Sequence, residues 1–244
     1  MKTIDINCDM GEGMGNEEAI MPYINSCNIA CGGHAGDTAI MKSTVDLTLK
    51  YDVKIGAHPS YPDKKNFGRH AMKISSEDLT TTIENQIKAL KIIAESSGSK
   101  LHHIKPHGAL YNEAAKDKST AEAVLNAINS FDDNLFLYAP YKSIIANLAL
   151  DRGIKVIFEA FADRAYNDNL QLVNRSIAGS VLENKEDIYE QVCSIITQQR
   201  IESITGKQLH LEANTICIHG DNPKAVEIVK FIHQKLNSNS HNIA

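Results

Sequence analysis

Between residues 55 and 108 the chain reads Ile55-Gly56-Ala57-His58-Pro59, then Ser75-Ser76-Glu77-Asp78-Leu79 opening a long amphipathic run, then Ile104-Lys105-Pro106-His107-Gly108. The two outer runs are short, apolar and closed by turn residues, which marks them as strands. Between them, Ser75 and Asp78 stand at capping-box spacing. Leu79, Ile83, Ile87, Leu90 and Ala94 form one helical stripe, and Gly98 suits the stop. A strand, a helix and a second strand in this order predict a parallel β/α unit.

The same rhythm extends in both directions. Upstream lie the strand ends Asp5-Ile6-Asn7-Cys8-Asp9 and Asn28-Ile29-Ala30-Cys31-Gly32-Gly33-His34, with a helix predicted from an N-cap at Asp37 to about Tyr51. Downstream, Ser119 and Glu122 repeat the capping-box spacing ahead of Val124, Leu125 and Ile128. Strands follow at Leu135-Phe136-Leu137-Tyr138, at Val156-Ile157-Phe158-Glu159 and at Ile216-Cys217-Ile218-His219-Gly220-Asp221. Helices are predicted at Ile144 to Gly153, around Ile188, Val192, Ile195 and Ile196, and from Asn222-Pro223 onward. The expectation is an α/β fold with about seven strands in a mostly parallel sheet. No repeat or linker divides residues 1–244, so one domain is expected, with a frayed polar tail over 237–244.

At 244 residues an α/β barrel is of ordinary size, and 43% hydrophobic with 23% charged residues is a globular composition. A net charge of -5 offers no basic field for nucleic acid, and no apolar run is long enough for a membrane span. The N-terminus opens directly into a strand without a signal segment. Cys8, Cys27, Cys31, Cys193 and Cys217 suit buried thiols in a reducing cytoplasm, and Cys27 with Cys31 lacks the second pair of a zinc site.

Polar side chains recur where the strands end. His34, His58, His107 and His219 can bind metal, move protons or polarise a carbonyl, and Asp9, Glu12, Asp37, Glu159, Asp163 and Asp221 supply carboxylates. Lys105 stands two residues before His107, on the same face of an extended segment. Leaving one such group buried and unpaired costs roughly 1–3 kcal/mol. Half a dozen would cancel most of the ~5–15 kcal/mol that stabilises a domain. They are therefore expected to converge on one cleft. The polar stretches 60–72 and 163–180 follow strand ends and are read as functional loops. Gly11-Glu12-Gly13-Met14-Gly15 lacks phosphate-loop spacing, a Walker A motif is absent, and no Gly-x-Ser-x-Gly elbow occurs.

At these residues the chain resembles the LamB/YcsF family. The resemblance rests on Asp5-Ile6-Asn7-Cys8-Asp9-Met10-Gly11-Glu12-Gly13, Asn28 to Asp37, Ile55 to Asp63 with Phe67-Gly68-Arg69, Lys105-Pro106-His107-Gly108-Ala109-Leu110-Tyr111-Asn112, Phe161-Ala162-Asp163-Arg164-Ala165-Tyr166, and His219-Gly220-Asp221-Asn222-Pro223. It departs at Asn169-Leu170-Gln171, where a glycine is expected near the turn. The resemblance implies a TIM-like β/α barrel of the glycoside hydrolase/deacetylase type. It also implies the A subunit of an ATP-dependent 5-oxoprolinase, acting with B and C subunits to convert 5-oxo-L-proline to L-glutamate while ATP becomes ADP and phosphate.

On that resemblance the expected catalytic set is Asp9, Glu12, His58, Lys105 and His107, with a carboxylate as base and an imidazole as acid or oxyanion donor. His34, Asp37, Arg69, Asn112, Glu159, Asp163, Arg164, His219 and Asp221 are expected to bind substrate, with Lys105 or Arg69 on its carboxylate. A rival expectation places a divalent metal on Asp9, His34, His58 and His107, as in a metal-dependent amide hydrolase or deacetylase. Another gives the chain a non-catalytic, lactam-binding role within a larger complex. Whether several copies of the chain associate is left open.

Overall fold

In the first strand, Asp5, Asn7 and Asp9 alternate with Ile6, Cys8 and Met10, and a pleated strand sends the two sets to opposite faces. The apolar set joins the main hydrophobic core, while the polar set bonds across the interior of a closed barrel. The computed structural model describes residues 4–131 and 134–238.

Along the chain run β1 (Asp5–Met10), α1 (Glu17–Ile20), β2 (Ser26–Ala30), α2 (Thr38–Tyr51), β3 (Lys54–His58) and α3 (Ser76–Ser96). Then come β4 (Leu101–Ile104), α4 (Gly108–Ala114), α5 (Lys118–Asn129), β5 (Phe136–Pro140), α6 (Ile144–Asp151) and β6 (Val156–Phe161). The chain closes with α7 (Lys185–Gln198), β7 (Arg200–Glu202), β8 (Gln208–His210), β9 (Thr215–Ile218) and α8 (Ala225–Ser238). Seven parallel strands close the barrel in the order β1-β2-β3-β4-β5-β6-β9. The fold is thus the TIM-like α/β barrel expected. Strands β7 and β8 pair antiparallel outside the ring, between α7 and β9. Among the described residues no helix is long and apolar enough to cross a membrane.

The helix starts follow local capping chemistry. Asp37 accepts from the Ile40 amide and Ser75 from the Asp78 amide, as the spacing predicts. The α3 stripe Leu79, Ile83, Ile87, Leu90 and Ala94 is buried along its whole length. Two boundaries differ from expectation. The cap of α5 is Asp117, whose carboxylate takes the Thr120 amide, so Ser119 is the second residue of the helix. An Asp at the preceding cap position competes better for the orphan amides than a Ser already within the turn. Asn222 and Pro223 form a turn that precedes α8, with the Ala225 amide on the Asn222 carbonyl. Of the tail expected to fray, Asn237 and Ser238 close α8, and 239–244 lie outside the described residues.

The barrel interior is polar, unlike the branched apolar layers usual in such folds. His103 on β4 lies inside the ring and stacks on Tyr138, 3.7 Å between ring centroids. Its position requires a glycine opposite: a Cβ on Gly56 would meet His103 Nε2 at 2.1 Å. His102 and His103 both belong to β4. Both polar loops leave C-terminal strand ends. Arg164 fixes the second of them by donating to the carbonyls of Val173 (2.6 Å) and Ser180 (3.2 Å). At the turn where a glycine was expected, Leu170 adopts φ 65, the left-handed conformation that glycine takes at no steric cost.

Candidate active site

The C-terminal ends of the barrel strands surround a cavity of about 920 Å³. Asp9, Glu12, His58, Lys105, His107, Glu159, His219 and Asp221 line it, together with Arg69, Asn112 and Arg164. His34 is buried next to this lining, its ring stacked parallel on His107 at 3.6 Å. Asp163 is buried beside the rim and bonds to His219 Nδ1 at 2.8 Å. The expected convergence is therefore met by residues from β1, β3, β4, β6 and β9. Asp37 does not join them, since it is exposed and its carboxylate caps α2.

Two carboxylates occupy contrasting environments. Asp9 Oδ1 accepts from Lys105 Nζ and from Asn28 Nδ2, each at 2.8 Å, and Oδ2 lies 3.4 Å from His58 Nε2. Burial alone would raise its pKa, but the charge of His58, when its ring holds a second proton, and that of Lys105 hold it well below the usual carboxylate range. Asp9 stays ionised. At Glu12 the opposing charges of His58 and His219 are outweighed, and the pKa is pushed up to about 7, first by burial and then by the charge of Asp9. A carboxyl that titrates near neutrality can take a proton and return it within one turnover.

The imidazoles have assignable tautomers. His58 Nδ1 lies 2.7 Å from the Lys105 carbonyl, so it carries the hydrogen and donates. His107 Nε2 likewise donates to the Phe67 carbonyl at 2.9 Å. The remaining nitrogens, His58 Nε2 and His107 Nδ1, then face each other at 2.9 Å with a lone pair on each. Glu12 Oε1 sits 3.9 Å from the first and 3.4 Å from the second, and 3.0 Å from His34 Nε2. Burial lowers the pKa of His34 to about 2 and that of His107 well below normal, so these rings resist simple protonation.

Facing lone pairs are satisfied by a shared proton or by a cation. Glu12, His34, His58 and His107 offer one oxygen and three nitrogens, all within 4.8 Å of one another. That donor set suits zinc or a similar divalent ion. It differs from the expected set in one member: Glu12 replaces Asp9, whose oxygen is already taken by Lys105. A second grouping of Asp9, Cys217 and His219 fits poorly. There the Lys105 ammonium touches both Asp9 and the Cys217 sulfur, and burial pushes the Cys217 thiol up.

Lys105 is buried and bonded to Asp9 (2.8 Å) and Glu159 (3.0 Å), and their charges keep it protonated against the cost of burial. It thus serves the protein's own carboxylates. Arg69 reaches Asp221 across the mouth, and Arg175 bonds to the same oxygen at 3.4 Å. Two guanidiniums on one carboxylate leave an excess positive charge at the entrance.

Several functional groups were not singled out by sequence. Asn28 donates both amide hydrogens, to Asp9 and to Asn7, while its carbonyl accepts from His103 at 2.7 Å. Asn7 passes the order on to Glu159 at 3.0 Å. Alternation along β1 and β2 carried the signal, because residues two apart share the inner face. Tyr111 lies one helical turn beyond His107 and reaches the same cavity.

A model of the LamB/YcsF family matches residues 4–244. A protein of Pyrococcus horikoshii, named as the A subunit of 5-oxoprolinase, is 45% identical over 238 residues, covering 96% of this chain and 93% of its own. One of the same name from Geobacillus thermodenitrificans is 40% identical over 240 residues, with 97% and 94% covered. The crystal structure of a lactam utilization protein from Thermus thermophilus superposes with a TM-score of 0.92 at 33% identity, covering 99% and 98% of the two chains. The peptidoglycan deacetylase PdaC of Bacillus subtilis shares the fold at TM-score 0.51 and 14% identity, over 99% of this chain and 86% of that one.

Proposed function

The chain belongs to the LamB/YcsF family, and on that premise we propose that it is the A subunit of an ATP-dependent 5-oxoprolinase and opens the lactam ring. The observation that carries this reading is the pair of buried carboxylates with divergent behaviour, Asp9 held ionised and Glu12 near 7, beside two imidazole nitrogens that face each other at 2.9 Å. Such a pair is the equipment for moving protons during attack by water on an amide carbonyl.

The lactam lies in the cleft with its carboxylate toward Arg69 and Arg175. Glu12, as carboxylate, takes a proton from the attacking water. A proton held between His58 Nε2 and His107 Nδ1 is delivered to the ring nitrogen as the C–N bond breaks. Lys105 and Asp9 keep the local field fixed. A five-membered lactam is a resonance-stabilised amide that recloses readily. Phosphorylating its oxygen from ATP makes the carbon a better electrophile and gives the ring-opening direction. One water opens the ring and a second releases phosphate, leaving L-glutamate and ADP. We assign the phosphorylation to the assembly with B and C subunits.

A second reading is favoured by the facing lone pairs. Glu12, His34, His58 and His107 would then hold a divalent ion, which supplies Lewis-acid polarisation and a more acidic bound water. In both readings the same residues surround the reacting carbon.

The test is glutamate release from 5-oxo-L-proline, measured for this chain alone and with B and C subunits, with and without ATP. Release only from the ATP-supplied assembly is expected. Release by the isolated chain without ATP would refute the division of labour, and no release in any combination would refute the activity.

A further inference from the structure

Among the buried residues of α3, which are Leu79, Ile83, Gln86, Ile87, Leu90 and Ala94, only Gln86 is polar. A glutamine on an apolar stripe needs a partner for each end of its amide, because a buried donor or acceptor left unpaired is costly. Both ends find the same residue. Gln86 Oε1 accepts from the Ser60 amide at 3.0 Å, and Nε2 donates to the Ser60 carbonyl at 2.8 Å. The second hydrogen of Nε2 goes to the Thr82 carbonyl at 3.3 Å. Turning the amide over would set N–H against N–H, so its partners fix its orientation. Ser60 is itself fully buried and lies two residues past the end of β3. Gln86 thus does for Ser60 what a neighbouring strand does for residues within the sheet.

The place matters. Ser60 follows His58 by two residues, and the Pro59 carbonyl between them accepts from the His107 amide at 2.8 Å. The turn that carries His34 rests on the same spot, since a Cβ on Gly33 would strike Gln86 Oε1 and Ser60 Oγ. Gly68 closes the group: a Cβ there would meet Ser60 Cβ at 3.3 Å, and His34 and His107 at 3.0 Å each. One buried amide therefore braces the turns bearing His34 and His58, and through Pro59 the one bearing His107. We propose that Gln86 is a positioning residue for the imidazole cluster, holding Ser60 so that His58 Nε2 and His107 Nδ1 face each other at 2.9 Å. Gln86 touches no reacting group itself. The inference rests on the proposed use of these imidazoles and adds what keeps them in register from the outer helix layer.

Gln86→Met tests the clamp, because methionine keeps the unbranched shape and the helix propensity while removing both bonds to Ser60. Nitrogen-15 NMR of the histidine side chains in the full chain reads the result. In the wild type His58 should carry its hydrogen on Nδ1 and His107 on Nε2, as their bonds to the Lys105 and Phe67 carbonyls require. In Gln86→Met one or both rings should show mixed tautomers, with helix content unchanged by circular dichroism. ATP-driven glutamate release by the assembly with B and C subunits should lose about 10- to 100-fold in kcat, since a misplacement of about 1 Å can cost that much. Gln86→Asn keeps the amide but falls one methylene short of Ser60. It should behave in the same way, and it decides the matter if Gln86→Met does not fold. Wild-type tautomers in a folded variant overturn the clamp and leave the proposed function standing. Mixed tautomers with wild-type kcat overturn both the positioning role and the part these imidazoles are given in ring opening.

Discussion

Replacing Glu12 by glutamine should stabilise the fold at alkaline pH while destroying its chemistry. In the unfolded chain Glu12 titrates at its ordinary value of 4.5, but in the folded chain it titrates near 7 because ionising it is opposed by burial and by Asp9. Between these values the unfolded state has released a proton that the folded state retains. Stability therefore falls as pH rises from 4.5 to 7, and the penalty is complete above 7. At 1.36 kcal/mol for each pH unit, the span amounts to about 3 kcal/mol. The side chain is 5% exposed, so solvent screening discounts this little. Loss of the contact to His34 shifts the variant by a constant. Urea unfolding at a series of pH values isolates the effect as the difference between Glu12→Gln and wild type. That difference should climb by about 3 kcal/mol from pH 4.5 to 7.5 and then level off. A flat difference would mean that Glu12 titrates normally, and the assignment of Glu12 as the proton carrier would fail with it.

His34 acts in the opposite sense. Its folded value near 2 lies below the ordinary 6.5, so stability is lost as pH falls through that window; in the Glu12→Gln background acid melts should show this undiluted, and acid-insensitive melting would contradict it. His107→Ala should abolish glutamate release by the assembly with near-wild-type circular dichroism, and turnover within tenfold of wild type would remove His107 from the mechanism. Gly56→Ala should cost several kcal/mol or prevent folding, because the new Cβ would overlap the His103 ring that orients Asn28 and Asp9; an unchanged melting temperature would show that the barrel interior yields. If the second reading holds, purified chain carries a divalent ion that strong chelation removes with loss of activity, and Glu12→Ala lowers the bound metal whereas Asp37→Ala does not; equal metal contents would count against the Glu12, His34, His58 and His107 set.

The barrel and its mouth were legible because their signals are local. Strand ends such as Ile55 to Pro59 and helix stripes such as that of α3 follow from period and punctuation alone. The polar ends converged because no other arrangement satisfies so many buried groups. Less legible were features decided by partners far apart in the chain. Asp37 carries the same side chain as the rim carboxylates, yet its amide-capping geometry uses it locally. Asn28 and His103 are separated by 75 residues, and only the closed ring makes them neighbours. The exchange of Glu12 for Asp9 in the metal-capable cluster depends on where Lys105 points, which no spacing rule contains.

The proposed activity requires the lactam to meet this cluster, and a crystal structure of the chain with 5-oxo-L-proline examines that directly. The ring should lie in the cavity at the C-terminal mouth, with its carbonyl carbon between Glu12 and the His58–His107 pair and its carboxylate toward Arg69 and Arg175. A ring bound elsewhere on the chain, with these groups left facing water, would contradict it.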